Sequence, residues 1–256
     1  MDEVERAIRD LVIANRILAR ENVTDAYGHV SVRHPRDPER FLLSCSRSPE
    51  LVQESDIMEF TFDGAPVGGG DRHPYLERFI HAAIYEARSD VNAVLHSHAE
   101  DVLPYTIANA ELKPVIHSGS VIGAHVPRWD IRRRFGDTNM LVSNIEQGRD
   151  MAQVLATHRA VLMRGHGFTG AGRSLADVVR IGVYLPRNAR VQTIGARLGE
   201  VEPLTPGEIE ARSNLFNPDR MEMWRAWEYW ATRAGCEDLL GPPPTRPRSD
   251  AAAQPR

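Results

Sequence analysis

The chain has 256 residues, 42% of them hydrophobic, enough for one large domain or two small ones around a sizeable core. A net charge of −4 and a pI of about 6.2 exclude a basic face for nucleic acid, and no apolar run approaches the ~18 residues that span a bilayer. Two cysteines, Cys45 and Cys236, neither in a CxxC, make no disulfide framework and fit a reducing cytoplasm, as does an acidic start without signal-peptide character.

Residues 2–21 read as an amphipathic helix, with Val4, Ile8, Leu11, Val12, Ala14 and Ile17 near helical spacing. Short strands are expected at 30–33, 41–44 and 57–62, the last closing on the turn pair Asp63-Gly64. Gly68-Gly69-Gly70 reads as a loop, and Pro74 precedes a helix expected over 75–88. A strand over Val91 to Leu95 follows, then a helix over 101–109. Further strands are expected near Val115, Val121 and 140–142, a helix over 146–157 and a strand over 160–163. Ser174, with Asp177 three residues on, caps a helix that should reach about Leu198 and bend near Pro186. Thr205-Pro-Gly-Glu208 reads as a capping box, and a last helix from about Asn217 carries Trp224, Trp227, Tyr229 and Trp230.

This alternation predicts an α/β fold: a three-layer α/β/α sandwich around a mixed, largely antiparallel sheet. Residues 1–240 should form a single domain, with a disordered Pro-rich tail over 241–256. No strand is followed by a Gly-rich phosphate loop; Gly165-His-Gly167 and Gly170-Ala-Gly172 lack the rest of a dinucleotide fingerprint.

The chemistry concentrates in three histidines. His96 and His98 lie in Ala93-Val-Leu-His-Ser-His-Ala99, where strand periodicity turns both imidazoles to one face. His166 follows a second apolar run, between glycines that leave its ring approachable. Three convergent neutral imidazoles make a metal site with a position left for substrate. A lone His-x-His pair is more often a pair of satisfied or exposed histidines, so the reading needs further support. Glu77, on the expected helix beside the His strand, is a carboxylate that can ligate a metal or move a proton; alone, it is an ordinary first-turn glutamate.

Taken together, Gly28-His-Val-Ser-Val-Arg33, Glu77-Arg-Phe-Ile-His-Ala-Ala-Ile-Tyr85, Ala93-Val-Leu-His-Ser-His-Ala99 and Gly165-His-Gly167 resemble the class II aldolase/adducin family over roughly residues 3–200. The resemblance implies His96, His98 and His166 as ligands of one divalent metal ion per chain and Glu77 as the catalytic acid/base. It also implies a homotetramer with active sites between subunits. Structural, adducin-type members lack the metal histidines, which this chain keeps.

Three departures bear on substrate. Where the family's sugar-phosphate enzymes have Gly-Asn, a Thr/Ser-Gly turn and a Ser-Ser pair before the glutamate, this chain has Gly28-His29, Leu43-Ser-Cys-Ser-Arg-Ser-Pro49 and Tyr75-Leu76. The glycine of the turn and the Ser-Ser pair are missing, and Tyr75-Leu76 offers a bulkier, more apolar wall than a phosphate cradle has. Arg47 can instead grip a planar carboxylate, or be a surface arginine, and His29 adds a donor or acceptor. Ser46-Arg-Ser-Pro49, Tyr75-Leu-Glu-Arg-Phe-Ile-His81 and His117-Ser-Gly119 resemble the family's decarboxylase branch, which acts on ortho-hydroxylated aromatic or heteroaromatic carboxylates or on hydroxy-carboxymuconic semialdehydes. The expected substrate contacts are His29, Ser31, Ser46, Arg47 and Tyr75, with Glu77 or His117 delivering a proton to carbon. Mn2+ or Zn2+ is the expected ion, with Co2+ or Fe2+ also compatible. An aldolase for an unphosphorylated hydroxy-keto acid, a non-haem iron oxygenase and a non-catalytic module are the alternatives.

Overall fold

The structure, a computed structural model, describes residues 2–68, 70–213 and 221–244. Helix α1 (Glu3–Arg20) opens on a capping box: Asp2 accepts from the Val4 and Glu5 N–H groups, and the Glu5 carboxylate takes the Asp2 N–H at 2.9 Å. Three short strands follow: β1 (His29–Arg33), β2 (Arg40–Ser44) and β3 (Ile57–Thr61). Then come α2 (Arg78–Ala87), β4 (Ala93–Ser97), α3 (Leu103–Ile107), β5 (Arg128–Trp129) and α4 (Arg132–Phe135). Helix α5 (Ile145–Leu155) leads into the hairpin β6 (Ala160–Met163) and β7 (Gly167–Gly172). The long α6 (Leu175–Leu198), α7 (Pro206–Ser213) and α8 (Met221–Arg233) end the described fold.

The strands form one sheet in the order β3-β2-β1-β4-β7-β6-β5, antiparallel throughout except for the β5–β6 pair. Strand alternation splits the core in two. Leu42, Leu95, Leu162 and Phe168 face one side, under α1, α6 and α8. Phe41, Leu43, Val94, Val161 and Met163 face the other, under α2 and α5. This is the expected α/β sandwich around a mixed, largely antiparallel sheet. Trp227 and Trp230 of α8 are buried in the first layer, while Tyr229 is exposed. No helix among the described residues is long and apolar enough to cross a membrane.

Several local expectations are corrected. Helix α2 starts at Arg78 rather than near Tyr75, and Glu77 sits at its N-cap position with φ −88° and ψ 17°, not in its first turn. An isolated bridge ties Pro74 to Cys45, and residues 76–77 form a turn before the helix begins. No strand forms at Val115, Val121 or 140–142; Val121 lies in a 3-10 turn, His117–Ile122. The isolated apolar pairs Val115-Ile116 and Val121-Ile122, flanked by Pro114, Gly119 and Gly123, have strand composition but no partner edge among the described residues. Strand β7 was hidden by its glycines. Those glycines are needed: a Cβ on Gly172 would meet the Val178 N at 2.7 Å, where α6 crosses the strand. The caps at Ser174 and Thr205 form as expected, and Thr205 and Glu208 exchange both bonds of a capping box. Gly69, the start of the last expected helix at Asn217-Pro218 and the tail from 245 onward lie outside the described residues.

Candidate metal centre

β4 carries His96 and β1 carries His29 directly opposite it. Both face the α2/α5 side, like Val94. His98 lies one residue past the end of β4. The β6–β7 hairpin, hydrogen-bonded to β4 through Ser97 and Phe168, holds His166 in its tight turn, where the His166 N–H donates to the Met163 carbonyl at 3.1 Å. The turn can lie this close only because residue 167 is glycine: a Cβ there would stand 2.1 Å from the Ser97 oxygen and 3.2 Å from the His98 ring.

The result is convergence of three Nε2 atoms. That of His98 is 2.9 Å from that of His96 and 3.2 Å from that of His166. Oε2 of Glu77 is 3.5 Å from the His96 Nε2 and 3.6 Å from the His166 Nε2. Three nitrogens bound tetrahedrally at about 2.0–2.1 Å to one cation stand about 3.3 Å apart, so the spacing suits a shared ion. Burial keeps His96 neutral, well below the ordinary imidazole range, and holds His166 at about 4. Neutral imidazoles are the ligating form.

Behind His98 stands Asp25, whose Oδ1 accepts from Nδ1 at 3.2 Å. That bond puts the proton on Nδ1 and leaves the Nε2 lone pair facing the cluster, the arrangement that supports metal-bound histidines. Asp25 is itself fixed by the N–H groups of Tyr27 (2.8 Å) and Gly28 (3.1 Å). Burial alone would raise its pKa, but the bonds from Tyr27, His98 and Gly28 outweigh it and keep the carboxyl ionised.

Glu77 is 8% exposed, and its Oε1 accepts the Val142 N–H at 2.9 Å. Burial raises its pKa to about 7 against that bond, so the carboxyl holds or gives up a proton near neutrality. Tyr75 packs its ring against His29 with centroids 4.6 Å apart, and its hydroxyl donates to the Arg47 carbonyl. A wall therefore runs from the segment of Ser46 and Arg47 through Tyr75 to His29 and the cluster.

Residues 9–193 match the Class II Aldolase and Adducin N-terminal domain, a span that contains the whole cluster. This chain belongs to that family. It is 34% identical over 244 residues to the decarboxylase tropJ of Talaromyces stipitatus, covering 86% of this chain and 92% of that protein. It is 26% identical over 237 residues to the 3,4-dihydroxyphthalate decarboxylase of Arthrobacter keyseri, covering 86% and 94%. The L-fuculose 1-phosphate aldolase of Glaciozyma antarctica PI12 shares the fold, with a TM-score of 0.72, 22% identity and coverage of 95% and 93%.

Within this class II aldolase fold, the expected site residues do not all gather. Glu77, His96, His98 and His166 do, with His29 and Tyr75 beside them. Ser31 is fully buried behind His29, its hydroxyl bonded to His81 and Tyr85, so the expectation that it touches substrate is corrected. The Arg47 guanidinium lies against Asp56, Nε to Oδ2 3.4 Å, rather than over the cluster. Ser46 is exposed beside it. His117 lies away from the cluster of its own chain: it is exposed on the 3-10 turn packed against α6, and α6 covers the opposite face of the sheet. Asp25 was missed, because its tie to His98 spans 73 residues and local pattern says nothing of it. Its one signal is the Asp-x-x-Gly28 turn that leads into the His29 motif.

Proposed function

We propose that this chain is a divalent-metal-dependent decarboxylase of a small ortho-hydroxy aromatic or heteroaromatic carboxylate, or of a hydroxy-carboxymuconic semialdehyde. The observation that carries this reading is the convergence of the His96, His98 and His166 Nε2 atoms beside a buried glutamate whose pKa is about 7. Relatives named as decarboxylases, matched over nearly their whole length, support the direction of the chemistry.

His96, His98 and His166 would hold the ion, Mn2+ or Zn2+ by preference, and Asp25 orients His98. The bound ion would supply a Lewis acid for the negative charge that develops on the substrate's hydroxyl or keto oxygen as the C–C bond breaks. The carboxylate leaves as carbon dioxide, and its bonding pair stays with the substrate. Glu77, protonated at Oε2, delivers that proton to the carbon and regains one from solvent, so one proton is consumed for each carbon dioxide released. The Tyr75 ring limits water beside His29, and the Tyr75-Leu76 wall offers no hydroxyl pair for a phosphate. Arg47 meets a substrate carboxylate by exchanging Asp56 for it. The assembly is a homotetramer, in which the exposed His117 of one chain reaches a neighbour's site.

Elemental analysis of protein purified without added metal, with carbon dioxide release followed over a panel of ortho-hydroxy aromatic dicarboxylates and carboxymuconic semialdehydes, tests the reading. About one metal per chain with carbon dioxide released is the expected result. Metal with an aldehyde or pyruvate released instead returns the chain to aldol cleavage, and absence of metal removes the basis of the proposal.

A further inference from the structure

Behind His29 runs a buried polar chain. Nδ1 of His29 is 2.6 Å from Nε2 of His81, Nδ1 of His81 is 2.6 Å from Oγ of Ser31, and that Oγ is 2.8 Å from the Tyr85 hydroxyl. All four residues are at most 1% exposed. The sequence explains the assembly: His29 and Ser31 share a face of β1, and His81 and Tyr85 are four apart on the inward face of α2.

The direction of the protons follows from counting donors. Both rings are at most 1% exposed and their hydrogen bonds are to each other and to Ser31, with no carboxylate to balance a buried charge, so each is neutral, with one N–H and one acceptor nitrogen. Among the described residues, the Tyr85 hydroxyl proton has one acceptor, Ser31. The backbone bond to Tyr85 from Val94 lowers its pKa, as donation to the phenol oxygen does, and so leaves the hydroxyl proton still to be placed. Tyr85 therefore donates to Ser31, Ser31 to the His81 Nδ1, and the His81 Nε2–H to the His29 Nδ1. Reversing the chain would strand a buried hydroxyl proton. With Nδ1 of His29 an acceptor, its one proton must be on Nε2, an atom with no partner among the described residues. The His29 ring lies 5.1 Å from His96 and 4.6 Å from Tyr75, centroid to centroid, beside the metal centre.

We infer that the buried Tyr85–Ser31–His81 chain locks His29 as a hydrogen-bond donor through Nε2, so that His29 is a substrate-contacting residue that donates to an oxygen of the substrate and does not act as a base. His81, Ser31 and Tyr85 are positioning residues. The identity of that oxygen, a carboxylate or hydroxyl of the substrate, rests on the proposed function; the tautomer does not. A donor aimed at an oxygen anion beside the metal centre favours substrates with an oxygen at that place and disfavours analogues lacking it, because the N–H would be left unpaired.

Histidine-selective 15N NMR of the full-length protein, in metal-free and zinc-loaded forms and without substrate, reads the tautomer directly, with His29 assigned by the signal lost in His29→Gln. The expected result is a protonated Nε2 and an unprotonated Nδ1. A proton on Nδ1 in the wild-type protein overturns the inference, whether or not any variant folds. Ser31→Ala removes the hydroxyl that donates to the His81 Nδ1 and so frees the two imidazoles to reverse. It should give a mixture of His29 tautomers, unchanged metal content and a kcat lower by about tenfold, against a smaller change in KM. A single unchanged tautomer in that variant also overturns it. Because the spectra are taken without substrate, a protein with the assigned tautomer that releases no carbon dioxide counts against the proposed function and leaves this inference standing.

Discussion

Asp25 holds His98 by its Nδ1 at 3.2 Å, and this bond decides which ring nitrogen His98 presents to its neighbours. The carboxylate is in turn fixed by two backbone N–H groups, so the ring is oriented by the main chain through one side chain. Removing the carboxylate leaves all three proposed ligands in place but frees the His98 tautomer. Asp25→Asn is therefore expected to weaken metal affinity by about 10–100-fold with little change in folding. Metal titration of the apoprotein, followed by competition with a chelator, checks this; wild-type affinity in the variant would remove Asp25 from the site.

Glu77 should separate binding from turnover. Its Oε2 is 3.5 Å from the nearest imidazole nitrogen, and the Val142 N–H holds its other oxygen. Glu77→Gln keeps the shape and that backbone bond but cannot give up a proton. Turnover should fall by about 10²–10⁴-fold while elemental analysis still finds the metal. Loss of the metal together with turnover would make Glu77 a ligand, and full turnover would end its assigned role.

Gly167 is a steric prediction. A Cβ there would stand 2.1 Å from the Ser97 carbonyl oxygen, so Gly167→Ala must push β7 from the end of β4. The expected cost is about 1–3 kcal/mol of stability, with weakened metal binding because His98 and His166 lie on the two segments forced apart. Denaturant unfolding with metal titration reads both; a variant equal to wild type in both would contradict the close approach.

The metal-free protein should be acid-sensitive. His29, His81, His96 and His166 are all held below the ordinary imidazole pKa of about 6.5, chiefly by burial, His81 to about 3 and His166 to about 4. Groups depressed in the folded state bind protons mainly in the unfolded state once pH drops below about 6.5, so each draws stability down with falling pH. Glu77, raised to about 7, works the other way between about 7 and 4.5, because the folded form takes up its proton first. The balance favours the unfolded chain by about three protons near pH 5.5, each lowering stability by roughly 1.4 kcal/mol per pH unit. The Tm of apoprotein should fall steeply from pH 6.5 to 5; a flat profile would mean that these histidines are not buried neutral.

Much of the site could be read from residue order. His96-x-His98, Glu77 and the Gly-His166-Gly turn pointed to the cluster, because their residue types and local spacing are visible in the sequence whatever the rest of the chain does. The α/β class followed from the alternation of apolar patterns. Strand β7 did not, since its glycines answer to α6 and β4, which are remote in sequence. Glu77 was placed in the first turn of a helix, but the chain is bridged to Cys45 at Pro74 and turns at residues 76–77, so the helix starts at Arg78 and the carboxylate enters the cluster from the cap position.

By itself, the sequence pointed to the family and to the three histidines that converge, local properties of residue type and spacing. Tertiary structure alone decided which of the suggested residues meet. It took Ser31 out of the pocket and into a buried chain, turned Arg47 toward Asp56, put His117 on the other face of the sheet and brought in Asp25 from 73 residues away. The physical reason is that a side chain's partners are set by which strand edges and helix faces pack together, and packing depends on the whole chain at once.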